Sequence, residues 1–142
     1  MAGHFVTAVN DAQAGGAPPA LAALVNARIL TARDRLAAWT YNTPAGFDTL
    51  GDPGAPTAQE LIDSVATTLY NVAVGRLVVN TFDATLAANG ITYRQGTSEA
   101  LRGLLRLLDA PTFTGVGASG LNFFNDTSVT LTAAQERDML LV

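Results

Sequence analysis

The feature that most constrains this chain is an uninterrupted run of helical spacing between Thr57 and Gly90. Thr57-Ala58-Gln59-Glu60 has the pattern of a capping box, in which the threonine hydroxyl accepts from the third helical N–H and the glutamate reaches back. Leu61, Ile62, Val65, Leu69, Val72, Arg76, Val79, Phe82, Asp83 and Leu86 follow at helical intervals, and Gly90 suits the left-handed cap that ends a helix. Unbroken, such a helix has about 30 residues and spans roughly 45 Å. Apolar residues occupy most of its circumference, among them Val65, Ala66, Leu69, Tyr70, Val72, Val74, Leu77 and Val78. A helix apolar on most sides is buried on several of them. A chain of 142 residues has little other material to provide that burial, so this helix is expected to be covered by something larger.

Composition narrows the chemistry. The chain is 49% hydrophobic, with a mean hydropathy of +0.25, which excludes intrinsic disorder. No apolar run reaches the ~18–20 residues of a membrane span. The net charge of −4 and a pI near 4.6 argue against nucleic acid or an anionic membrane as partner. Cysteine and lysine are absent, and His4 is the single histidine. Thiolate metal sites, CxxC redox sites and a serine–lysine pair are therefore excluded, and no cofactor or metal ligand set is expected. Only 14% of residues are charged, against ~25% for an ordinary domain, which again points to a surface covered by a partner. The Met1–His4 start shows no secretory pattern.

The remaining elements follow from periodicity and breakers. Residues 1–19 are expected to be a flexible N-terminal segment carrying His4 as a mobile terminal residue, with Gly15-Gly16-Ala17-Pro18-Pro19 as linker. Residues 20–142 are expected to form a single helical domain or fragment. Leu21, Leu24, Val25, Ile29, Leu36 and Trp39 predict one helix from Ala20 to Trp39. Thr40–Pro56 is dense in Gly and Pro and reads as a loop that packs down through Tyr41 and Phe47. Gly96-Thr97-Ser98-Glu99 opens a third helix, with Leu101, Leu104, Leu105 and Leu108 on one face and Arg102 and Arg106 on another, stopped by Asp109-Ala110-Pro111. Thr112–Val129 is an ordered loop. Thr132-Ala133-Ala134-Gln135 caps a fourth helix that runs to Val142 without a stop signal, which suggests a cut through a longer helix.

Few residue sets carry chemistry. Gly115-Val116-Gly117-Ala118-Ser119-Gly120 matches the dinucleotide-binding spacing, but neither a strand before it nor a helix after it is indicated, so a tight packed loop is expected. Glu60 and Asp63 sit in a first helical turn, where negative charge complements the helix dipole. Ser64, Thr67, Asn71 and Gly75 form a small polar stripe suited to close approach of a neighbouring backbone. Arg76 and Asp83 share a face and are expected to pair with each other or with neighbours. Asn125-Asp126-Thr127 is a formal glycosylation sequon.

The order of segments resembles the helical part of the penicillin acylase (penicillin amidase) family. Ala27 and Leu30 leading through Arg33 to Leu36 and Trp39, then Ser64-Val65-Ala66-Thr67-Thr68-Leu69-Tyr70, are similar to a family helix ending in Trp and its successor. Leu104-Leu105-Arg106-Leu107-Leu108-Asp109-Ala110-Pro111 resembles the next segment, and Phe123-Phe124-Asn125-Asp126 with Glu136-Arg137-Asp138 the one after. The resemblance implies a mainly α fold of about four helices with long ordered loops, a helical fragment of a larger αββα N-terminal-nucleophile hydrolase. It implies a periplasmic or secreted bacterial parent that hydrolyses the amide bond of acylated amines such as penicillins, acyl-homoserine lactones or lipopeptides. In that family a serine freed by self-cleavage supplies both nucleophile and amine base. The nearest candidate here, Ser119, follows Ala118 rather than Gly, so no catalytic, cofactor-binding or metal-binding residue is assigned. The expected partner is the remainder of a parent hydrolase. The alternative is a stand-alone interaction module that self-associates.

Overall fold

The computed structural model describes residues 1–43, 54–91, 97–110, 112–124 and 131–142. Among these the chain is mainly helical, with six helices: α1 (Ala2–Gln13), α2 (Pro19–Ala22), α3 (Ala27–Ala37), α4 (Ala58–Ala88), α5 (Thr97–Leu108) and α6 (Ala133–Leu141). No helix among the described residues is long and apolar enough to cross a membrane.

The long helix forms as its sequence predicts. Glu60 N donates to Thr57 Oγ1 at 3.2 Å and Thr57 N donates to Glu60 Oε2 at 2.6 Å, closing the capping box. At the other end Gly90 has φ 71°, Gly90 N donates to Ala87 O at 3.0 Å, and Ile91 N donates to Leu86 O at 2.9 Å. These two bonds are the Schellman pattern, which satisfies carbonyls that a helix end would leave open. The second capping box also forms, with Gln135 N donating to Thr132 Oγ1 at 3.3 Å ahead of α6.

Two features go beyond the expected elements. Within residues 1–19, Ala2–Gln13 form α1, which buries Ala2, Ala8, Val9 and Ala12 against α3 and α6. Its apolar stripe is built largely of alanine, which gives a weak periodic signal but allows close helix packing. The helix expected from Ala20 to Trp39 is two helices. Asn26 adopts an extended conformation and its Oδ1 accepts from Arg28 N at 2.9 Å and Ile29 N at 3.2 Å, starting α3 anew. Asparagine caps a helix better than it sits inside one, so Asn26 outweighs the periodicity around it.

Two buried clusters hold the helices together. One joins Ala8 of α1, Leu77 and Val78 of α4, Ala100, Leu104 and Leu108 of α5, Phe124 and Leu141. The other joins Ala2, Leu36 and Ala66, flanked by Phe5, Val6, Trp39, Leu69 and Tyr70. Both lie along α4, and α1 contributes to each. Because Leu104 is fully buried at the centre of the larger cluster, Leu104→Ala should cost about 2–5 kcal/mol of stability in denaturant unfolding. Leu24→Ala, at a 37% exposed position, should cost roughly 0.5 kcal/mol or less.

Candidate functional site

A concavity of about 890 Å³ lies between the C-terminal half of α4, α5 and the loop Thr112–Phe124. Phe82 and Leu86 of α4 form its floor with Leu107 of α5. Gly103 faces Phe82, and a Cβ there would meet the Phe82 ring at 3.7 Å, so α5 lies in van der Waals range of α4. Arg102 and Arg106, one turn apart on α5, line the cleft beside Glu99.

The loop forming the far wall is a short hairpin. Val116 and Asn122 make an antiparallel bridge, Phe123 N donates to Gly115 O at 3.0 Å, and Gly117 N donates to Leu121 O at 2.9 Å. Gly115 has φ 71°, and a Cβ there would lie 2.7 Å from Asn122 Oδ1, so both backbone and packing require glycine. The Gly115–Gly120 spacing thus serves a tight packed turn, as expected. Three ring contacts fix the hairpin. Phe123 stands edge-on to Phe82 at 5.0 Å, Phe113 stands edge-on to Phe124 at 5.0 Å, and the Arg137 guanidinium lies over Phe113 at 5.6 Å. Ser119 lines the cleft at the turn.

His4 is not a mobile terminal residue. It sits on α1, and its Nε2 lies 2.8 Å from Asp109 Oδ1, just past the end of α5. Among the described residues no serine hydroxyl is bonded to His4. Glu60 and Asp63 are each committed to helix-end structure rather than to one another. Asp63 accepts from Thr40 N at 3.0 Å, from Thr40 Oγ1 at 2.5 Å and from Gln59 Nε2 at 2.9 Å, and it is buried. The hydrogen bonds from Thr40, side chain first, hold its carboxyl below the ordinary carboxylate value of 3.8. Periodicity places Asp63 in a first turn but gives no sign of this burial, because its partner Thr40 lies on a separate segment.

Next to Asp63 the rings of Trp39 and Tyr41 stand 5.0 Å apart and those of Trp39 and Tyr70 5.2 Å apart. Tyr41 touches Trp39 but does not pack down as expected: it is left 69% exposed, at the unusual φ of 66°, and Trp39 Nε1 donates to Asn42 O at 3.0 Å. Phe47, the Asn125-Asp126-Thr127 sequon and Ser128 lie outside the described residues. Arg76 and Asp83 do not pair with each other; Arg76 lines a second groove, of about 480 Å³, between α3, α4 and α6. In the small polar stripe Thr67 Oγ1 donates to Asn42 O at 3.4 Å, whereas nothing lies within 4 Å of a Cβ placed on Gly75.

Comparison with protein-family models, with curated proteins and with solved structures gives no match.

The two buried acids act oppositely with pH. Asp63, with its folded pKa lowered, contributes stability that is fully present above its ordinary pKa and is lost as pH falls below about 3.8. Asp138 is raised, first by burial and only partly offset by the adjoining Arg137, with Asp11 raising it further. Its contribution is present below the ordinary value and lost as pH rises through the raised one. Asp63→Asn should flatten the acid limb of a stability-against-pH curve. Asp138→Asn should flatten the limb just above the ordinary carboxylate value of 3.8. Urea unfolding at a series of pH values reads both.

Proposed function

We propose that this chain is a helical association module in which the open face of α4 pairs with the same face of a second copy. The observation that carries the proposal is a row of exposed apolar residues on α4: Leu61 at 47%, Val65 at 45%, Val72 at 62% and Val79 at 37% relative exposure. Val65, Val72 and Val79 recur every seven residues, the spacing of a coiled-coil seam. Between the valines lie Thr68 and Gly75, both exposed, and the open space beside Gly75 lets a partner helix approach closely. Seam positions from Leu61 to Gly75 include no charged side chain, so two copies in register meet no like-charge repulsion there. The excess of apolar surface that the sequence predicts for this helix is thus concentrated on one long face.

A second reading is a helical segment of a penicillin-acylase-like amidohydrolase, with the same face covered by the remainder of the parent. Its support is the ordered resemblance, together with the contact of Trp39 with Tyr70, which joins the first two resembling segments. Sedimentation separates the two readings. The association module should be a dimer at tens of micromolar, and Val72→Arg should make it a monomer with an unchanged helical circular dichroism spectrum. A clean monomer at high micromolar concentration, with no response to Val72→Arg, counts against pairing of this face and favours the second reading.

Both readings share an expectation about chemistry. Amide hydrolysis needs a nucleophile, a base beside it and donors for the oxyanion. Ser119 lies at the hairpin turn, and the imidazole of His4 is engaged with Asp109. The purified chain should therefore not turn over penicillin G, acyl-homoserine lactones or chromogenic amides. Hydrolysis above the buffer rate that disappears with Ser119→Ala would overturn this.

A further inference from the structure

The cleft between α4, α5 and the hairpin begins on α4 beyond Val79, where the row proposed for association ends, and it adds charged side chains to an apolar lining. We propose that it binds an amphipathic monocarboxylate, with the apolar body against Phe82, Leu86, Leu107 and Phe123 and the carboxylate held by Arg102 and Arg106.

Three observations lead there. The first is size: about 890 Å³ falls within the range of roughly 300–1,000 Å³ usual for small-molecule sites. The second is apolar exposure at the rim. Ile91, just past the end of α4, and Val116, on the hairpin, are left 42% and 43% exposed, and both line this cleft. Water-facing apolar side chains on two walls of one concavity are covered when an apolar body fills it. The third is charge. Arg102 and Arg106 are like charges at i and i+4, an arrangement that destabilises a helix on its own. Among the described residues neither has an ion-pair partner, although Arg33 and Arg137 do.

Two guanidinium groups one turn apart present planar donor forks that match a carboxylate, and an apolar surrounding strengthens the attraction. Arg106 also lies in the last turn of α5, where the helix dipole favours a cation, but that role does not require Arg102 beside it. Glu99 sets the charge of the headgroup. It lines the same cleft one turn before Arg102, its Oε2 accepting from Ser98 Oγ at 3.2 Å. Among the described residues of the lining, two arginines and one glutamate leave a net charge of +1, which one carboxylate neutralises and a dianionic phosphate exceeds.

The test is calorimetric titration of the full chain with dodecanoate below its micelle concentration, beside dodecanol and dodecyl phosphate. Dodecanoate should bind one per chain, at least about tenfold tighter than dodecanol and tighter than dodecyl phosphate. The double variant Arg102→Gln/Arg106→Gln changes two exposed side chains and should retain the fold. It should weaken dodecanoate about tenfold or more while leaving dodecanol unchanged. Val116→Asp, at the rim, should weaken both. Equal affinity for dodecanoate and dodecanol, an unchanged dodecanoate affinity in the double variant, or no binding by the wild-type chain overturns the proposal. So does dodecanoate binding that is lost in Val72→Arg but kept in the arginine double variant, which would place it on the row proposed for association.

Discussion

Everything in this molecule hangs on the length of α4. At 31 residues it is longer than any one of the other elements can cover, so burial along it divides into two clusters rather than one. Ala66 anchors the first, and Leu77 with Val78 the second, three turns further on. What keeps the two from acting as separate bodies is α1, which places Ala2 in one cluster and Ala8 in the other. The N-terminal helix is thus a splint rather than a tail. Its polar contacts reinforce that placement: His4 reaches Asp109 beyond α5, Asn10 and Gln13 accept from Arg33 of α3, and Asp11 faces Arg137 of α6.

The two ends of α4 were legible in the sequence because their signals are local. A threonine followed three residues later by a glutamate, and an Asn-Gly pair, encode their own hydrogen bonds without help from distant residues. The same holds for the Thr132 cap. Where the sequence misleads, a local choice competes with a longer pattern. The apolar spacing across Ala20–Trp39 suggests continuity, but one asparagine side chain satisfies two backbone N–H groups and breaks it. In α1 the signal is faint because alanine contributes little hydrophobicity, while its small volume is what allows the helix to lie close against α3 and α6.

The cleft was only half legible. Helical spacing places Arg102 and Arg106 on a face of α5 away from Leu104 and Leu108. It cannot show that a glycine-dependent hairpin closes the other side, because that closure depends on Phe123 meeting Phe82 and Phe113 meeting Arg137. Such contacts join residues far apart in the chain and leave no period to read. The Gly115–Gly120 spacing illustrates the converse: a motif with a known chemical use elsewhere is here explained by the room that Asn122, Phe123 and Phe124 take up beside it.

Trp39 is the only tryptophan, and it packs against one of the two clusters, beside Tyr41 and Tyr70. Its emission is therefore a local optical reporter of the α3–α4 end of the molecule, fed by energy transfer from the two neighbouring tyrosines. The far cluster, built on phenylalanine and leucine, is nearly silent in that window. Fluorescence and far-ultraviolet dichroism thus observe different parts of one chain. The degree to which their transitions coincide measures how firmly the N-terminal splint couples the two ends of the long helix.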